Sequence, residues 1–526
     1  MKMKKVMAVL MAAMVGVSML AGTATIVCAE EEEVVEEGAE EEDAEEEDED
    51  EEPTEITVAL MCLSPMDESA TDHVEEALNE LLKEKINVEA DFMWFDPTTY
   101  ATQVPMMIQA GEDLDLMMFT AVPGAGYQSF MSQNQLMDIT EYVDEYGDNI
   151  KEKMGDYLEA TSRNGSVYGV GCTTALEGTE SIVMRKDVLD ELGLTEQAEN
   201  IQSWSDYEAI LKEVTEKTDL NGIVNMDQEG TCISSQPYMN GGDALSDAYF
   251  VDVLGDSYYY VYGDPDTNKV ECYFYNEDWQ ENMRRAKQFY DEGLIYKDAA
   301  TSQDWGDTLL KNDAGFSYVR LLEQGSIASI EASSGHEVVT VPVASRKATT
   351  DSFTKFGFAV PVTAKEPEAA VKLLNLLYGD QEVQDTITWG VEGVDYVRND
   401  DGTLTYPEGV TSDTVQYHTA DFLYGDRLGV TPWEGDGADI REQQKAGNEV
   451  TEASPFLGFS VDSSAVSTEL AACKNVIDQY KPQLSAGSVD DVDATLKEFT
   501  TALSAAGMDK ILETYQAQLD EWLASK

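Results

Sequence analysis

Asn164-Gly-Ser-Val-Tyr-Gly-Val-Gly-Cys-Thr-Thr-Ala-Leu-Glu-Gly-Thr-Glu-Ser-Ile-Val-Met-Arg-Lys-Asp-Val-Leu-Asp-Glu-Leu-Gly193 decides how the chain divides. Asn164-Gly165 is a two-residue hairpin signal, because both central positions of that turn require positive φ. Ser166 to Gly171 is a short extended run, and the β-branched run from Ser181 to Met184 leads into a small helix closed by Gly193. One complete α/β pattern precedes this stretch and another begins after it. It therefore reads as a crossing between two lobes.

Upstream, Ile56–Met61 reads as a strand, Val74, Ala77, Leu78, Leu81 and Leu82 recur at helical spacing, and Asn87–Trp94 is a second strand. Asp96-Pro97 opens a helix that Gly111 closes, and Leu114–Phe119 is a third strand. This β-α-β-α-β order predicts an α/β lobe with a parallel sheet, and ligands of such sheets sit beyond the carboxyl ends of the strands. Ser64, Asp67, Trp94, Phe119 and Thr120 lie at those ends and are candidate ligand contacts.

Downstream, Ser205 and Glu208 form a capping box ahead of Ile210, Leu211 and Val214. Tyr258–Tyr262 and Cys272–Tyr275 flank a turn and read as an aromatic hairpin. Asp264-x-Asp266-x-Asn268 imitates the start of a calcium loop, but Lys269 and Tyr275 stand where its glycine and glutamate belong, so a plain turn is expected. Lys355–Pro361 reads as a strand returning the chain to the first lobe, and Pro367 opens a helix with Ala370, Leu373, Leu374 and Leu377 on its inner face. Asn399–Gly402 is a hairpin turn in a loop-rich insertion that runs to about Gly447. Ser488 is expected to cap a helix of Val492, Leu496, Phe499 and Leu503.

Among 526 residues, 104 acids face 33 bases, giving a net charge of −71. Such a chain repels the phosphates of nucleic acid and the surface of an anionic membrane. Residues 1–29 hold Lys2, Lys4 and Lys5, an apolar stretch from Val6 to Leu20, and then small residues, the pattern of a secretory signal. Val27-Cys28-Ala29 fits a small-x-small cleavage site that would remove Cys28; the alternative is that Cys28 is the lipidated first residue of a lipoprotein. Glu30–Glu52 carries 18 acids in 23 residues, too charged to bury a core, and reads as a solvated tether. Without those acids and the three signal lysines the remainder still carries −56, which suits a soluble extracellular surface. Cys62, Cys172, Cys232, Cys272 and Cys473 are odd in number and singly spaced, so buried free thiols are expected.

Common catalytic signatures are missing. With only His73, His336 and His418, a multi-histidine metal site is excluded, and the chain has no G-x-S-x-G or phosphate-binding loop. No cofactor, metal or catalytic residue is expected. A carboxylate pair for glycoside hydrolysis leaves no motif, so a secreted polysaccharide-degrading enzyme stays open as an alternative. The 25 Tyr, 15 Phe and 7 Trp offer aromatic faces on which sugar rings stack. Trp94, Phe119 and Trp389 are favoured for that role because each ends a strand or helix where an α/β lobe opens.

The crossing, with its Lys186-Asp187, resembles the hinge of family 1 extracellular solute-binding proteins, the receptors of sugar ABC importers. Phe356-Gly-Phe-Ala-Val-Pro361, the following Pro-Glu-Ala-Ala helix and Trp389-Gly-Val-Glu-Gly-Val-Asp-Tyr396 resemble the LipO-type lipoprotein branch. Ser454–Asp462 and the helix after it are similar to that branch's C-terminal domain of unknown function. The resemblance implies a type II periplasmic-binding-protein fold of two α/β lobes. These would be residues 54–170 and 344–389 in lobe one, and 171–343 and 390–526 in lobe two. It implies ligand contacts at Thr174 and Glu177 in the crossing, at Tyr318 and Arg320, at Glu392 and Tyr396 in the turn, and at Phe459. It further implies capture of a carbohydrate by a monomer that hands it to membrane permease subunits, with a lipid anchor at Cys28 as the only membrane contact; a receptor for a peptide or other non-sugar solute is the alternative in the same fold.

Overall fold

The computed structural model describes residues 52–526 except 64–67, 123, 225–237, 256–260, 303 and 413. Cys28, the acidic tract, Ser64, Asp67 and Cys232 therefore lie outside the described residues. Strand Thr54–Met61 pairs in parallel with Val88–Phe95 along its whole length and with Leu116–Phe119 on its other side. Helix Glu68–Ile86 and helix Pro97–Ala110 supply the two crossovers. The second is bounded as its residues dictate: the Asp96 carboxylate accepts from the Thr98 and Thr99 amides, Pro97 fills the first turn, and Gly111 ends the helix at φ 73°.

Two late strands complete this sheet. Gly357–Ala359 lies antiparallel to Leu116–Phe119, and Val170–Gly171 pairs with its far edge. Gly357 is required there: a β-carbon would come within 2.2 Å of the Phe119 ring and 2.4 Å of the Val170 carbonyl oxygen. Before it, Asn164 and Gly165, at φ 54° and 83°, turn the hairpin from Ser162–Arg163 into Ser166–Val167.

The second sheet is mixed, in the order Val338–Ser345, Thr179–Arg185, Gly315–Leu322, Asn221–Ile223. Its core holds Ile182, Val183, Trp204, Tyr207, Phe289 and Phe316. At the end of Thr179–Arg185, the Arg185 guanidinium makes two bonds to Asp187, of 3.1 and 2.6 Å, and one of 2.5 Å to Asp313. A third core joins the hairpin Val261–Asp264/Lys269–Cys272 to the helices Ser467–Ser485, Val492–Ala506 and Met508–Ser525.

Some boundaries differ from those read in the sequence. Of the stretch 390–526 expected to complete lobe two, Tyr417, Leu423 and Tyr424 lie instead in the first core, whereas the C-terminal helices pack in the third core with Val261, Phe274 and Trp279 from within 171–343. Ser203, not Ser205, caps helix Trp204–Lys217, and Asp491, not Ser488, caps Val492–Ala506. In both, the cap is the extended residue directly before the first helical turn. Asp264 binds the Asp266 amide and the Thr267 hydroxyl within its own turn. Among the described cysteines, Cys172, Cys272 and Cys473 are buried free thiols, and buried Cys62 donates to the Phe95 carbonyl at 3.3 Å.

Candidate ligand-binding cleft

Three connections knit the two sheets together. The first runs from Gly171 to Thr179 and the second from Ser345 to Gly357, and a third, residues 425–454, passes from the first core to the third and flanks both. The Thr173 amide donates to the Gly425 carbonyl at 3.0 Å and its hydroxyl to Asp426 at 2.5 Å. Asn448 accepts from the Leu176 amide at 2.6 Å and donates to the Thr174 carbonyl at 2.8 Å. Ala348 and Ser454 exchange the second connection with the third, the Ser454 amide donating to the Ala348 carbonyl at 2.8 Å. Backbone polar groups are thus satisfied where the chain passes between cores, which leaves side chains free to face the space beside them.

That space is a cleft of about 600 Å³, within the range of small-molecule sites. Val319, Arg320 and Leu321 at the end of one second-lobe strand form one wall, and the connections form the floor. Phe250, Phe356 and Phe422 supply apolar surface; the last two rings lie 5.5 Å apart. The charged lining is balanced: Arg320, Arg346, Lys347, Lys355 and Arg427 stand against Glu180, Glu323, Asp351, Asp421 and Asp436.

Most of these charges are already used. Glu323 accepts from Arg346 at 2.9 Å and from Arg427 at 3.1 Å; Arg427 also holds Asp421 at 3.1 Å, and Arg441 reaches Asp421 at 2.7 Å. Arg346 further donates to the Leu176 carbonyl at 3.0 Å and to that of Ala175. Burial alone would raise the Asp421 carboxyl, but the guanidiniums of Arg427 and then Arg441 outweigh it and hold it below the usual carboxylate range. Asp436 goes the other way, raised by burial and by the neighbouring Asp421 charge. The floor is therefore a pre-paired ionic chain with outward polar edges, suited to hydroxyl groups. Among the described residues no group of three or more His, Cys, Asp or Glu could hold a metal.

Of the residues singled out in the sequence, Thr174 and Arg320 line the cleft, and Arg320 is held by Asp307 at 3.1 Å. Glu177 is exposed at its edge and accepts from Gln324, a lining residue. Tyr318 is buried behind Arg320 with its hydroxyl on Asp307.

Seven other expected contacts lie outside this cleft. Phe119 and Thr120 are buried because Gly357 brings a later strand over them. Trp389 is buried against His418 and Trp433 and donates to the Thr431 carbonyl at 3.0 Å. Tyr396 is buried with it, and Phe459 packs on Trp522 in the third core. Trp94 is half-buried against Phe92 and Tyr417 and does not line the cleft. Exposed Glu392 borders a different hollow, on the first lobe. Sequence reasoning missed Glu323, Arg346, Arg427 and the three phenylalanines. Glu323 and Arg427 stand 104 positions apart, so no local pattern could have joined them.

The model of a bacterial extracellular solute-binding protein matches residues 76–392, more than half of the chain, and a domain of unknown function matches residues 455–524. A carbohydrate ABC transporter substrate-binding protein of Streptococcus pneumoniae is 21% identical over 470 residues, 86% of this chain and 89% of that protein. Lipoprotein LipO of Bacillus subtilis is 25% identical over 282 residues, about half of each chain. Among solved structures, the N-glycan transport solute binding protein of S. pneumoniae superposes with a TM-score of 0.72 at 20% identity, over 90% of this chain and 99% of that one, so the two-lobed type II fold is shared. The chain is a member of the bacterial extracellular solute-binding proteins.

Proposed function

We propose that this solute-binding protein is the substrate-binding component of an ABC importer, and that its cleft captures a neutral oligosaccharide without breaking a bond. The observation that carries this reading is the cleft itself: about 600 Å³, floored by mutually paired charges and walled in part by Phe250, Phe356 and Phe422. Paired carboxylates and guanidiniums keep unused lone pairs and N–H groups for hydroxyls, and phenyl faces accept the apolar face of a sugar ring. Because the lining cations are neutralised within the lining, a net anionic ligand gains little there. The S. pneumoniae relative described as a carbohydrate ABC transporter protein, and the solved complexes of its N-glycan-transport counterpart with Man1GlcNAc and Man5GlcNAc, support the same class.

Capture works by population shift: closure is favoured by contacts that only the closed lobes make with the ligand, and the permease reads the closed shape. Export places the protein outside the membrane, held there as a monomer by lipid on Cys28. Calorimetric titration with neutral oligosaccharides, uronic-acid oligomers and peptides tests the reading. Binding of a neutral oligosaccharide at micromolar Kd or tighter, with a smaller radius of gyration and no released reducing sugar, is expected. Peptide binding with all sugars silent, or sugar hydrolysis, would overturn it. Fatty-acid labelling that is lost in Cys28→Ala checks the anchor, and a mature chain starting at Glu30 would refute it.

A further inference from the structure

Trp305 stands out among the large apolar side chains. It is 58% exposed, whereas Trp204, Trp279 and Trp389 are buried. Its position is fixed by the backbone around it. Strand Gly315–Leu322 runs toward the cleft, since its last residues Val319, Arg320 and Leu321 line that space and its first do not. Helix Gly306–Lys311 precedes that strand through a tight turn and packs back along it, so the helix begins at the cleft end. Gly306 lies flat on the Tyr318 ring, where a β-carbon would approach within 2.8 Å. Asp307 then binds both the Tyr318 hydroxyl and Arg320, itself a cleft residue. Trp305 does not itself line the enclosed space, but it stands two residues before Asp307, which holds the cleft residue Arg320, and its indole is in solvent.

The rim around it has the same character. Helix Ser326–Ser334 packs on helix Gly306–Lys311, its Ser326 and Ser329 line the cleft, and Ile327 is 44% exposed beside them. An exposed tryptophan adjoining a polar cleft has the composition of an aromatic platform: a wide apolar face with a single N–H donor.

We infer that Trp305 is a stacking platform for a sugar ring of the ligand that projects past the enclosed cleft, so that it sets a preference for longer oligosaccharides over short ones. This rests on the carbohydrate reading above. A ligand filling only the cleft would not touch Trp305, whereas one extending along the Arg320 wall would reach it, and the contact would add affinity without adding to the stability of the free protein.

The test compares wild type, Trp305→Ala and Trp305→Phe against a panel of neutral glucose, mannose and fructose oligomers from di- to hexasaccharide. In Trp305→Ala the longest binder should weaken about tenfold or more, the shortest binder by less than twofold, and the melting temperature should not move. Trp305→Phe should recover most of the loss. Acrylamide quenching of the wild type should fall with the long ligand only. If wild type binds and Trp305→Ala binds every length equally well, the inference is wrong while the carbohydrate reading stands. Equal losses for all lengths in both variants with a lowered melting temperature would mark a structural tryptophan, and normal binding with reduced uptake would mark a permease contact; either overturns it. If no oligomer binds wild type, the carbohydrate reading fails and this inference with it.

Discussion

Replacing Asp252 with asparagine should make the protein more stable above neutral pH and hardly change it near pH 4. Asp252 lies in a short strand beside the cleft residue Phe250, is 2% exposed, and accepts from the Ser454 hydroxyl of the third connection. Burial, opposed by that hydrogen bond and helped by the charge of Asp351, pushes its carboxyl from an ordinary 3.8 up to about 7. The folded pKa is therefore above the unfolded one. The stability linked to this proton is fully present below about pH 4, falls as the unfolded chain ionises while the folded chain does not, and is gone above about pH 7. With each tenfold in proton affinity worth about 1.4 kcal/mol, the loss across that window is on the order of 4 kcal/mol. Asparagine keeps an oxygen for Ser454 and carries no ionisable proton, so the variant lacks this term. Urea unfolding of both proteins at pH 4, 5, 6, 7 and 8 isolates it, because the other carboxylates contribute equally and cancel in the difference. The difference should grow toward the asparagine variant from pH 4 to 7 and then level off. A flat difference, or an asparagine variant less stable at pH 8, would refute the reasoning.

Glu323→Gln should cost about 2 kcal/mol in urea unfolding, because it leaves the mostly buried Arg346 and Arg427 short of one shared negative charge. Gly357→Ala should cost about 3 kcal/mol or prevent folding, seen as lost soluble yield or a much lower melting temperature, since the new methyl meets Phe119 and the Val170 carbonyl at once. A chain beginning at Pro53 should melt within a few degrees of the mature protein, because 18 acids in 23 residues can bury nothing; calorimetry of the two checks it.

Features that rest on a few neighbouring residues were legible in the sequence. The Asn164-Gly165 turn, the left-handed caps Gly111 and Gly193, and the parallel pairing of Thr54–Met61 with Val88–Phe95 follow from local backbone preference or from the alternation of strand and helix periods. The first sheet was readable up to the point where Lys355–Pro361 rejoins it. The ionic floor of the cleft was not: in a chain with 104 acids, nothing local distinguishes Glu323 as the residue that two distant arginines share.

The aromatic residues show why a site is harder to read than a fold. Trp389 and Phe119 were favoured because each ends an element at the open side of a lobe, yet what decides a ring's role is what later chain covers it. Trp389 is covered by His418 and Trp433, Phe119 by the strand beginning at Gly357. Both coverings come from segments far along the chain, so the same local pattern is compatible with a platform and with a core residue. Trp305 has the opposite history. Nothing in its local pattern marks it, since it precedes a six-residue helix, but Gly306 seats the backbone on Tyr318 and the described residues leave the indole 58% exposed. Burial of a tryptophan gains several kcal/mol, so a ring left 58% exposed beside a polar cleft forgoes that gain, and a ligand that covers it recovers it.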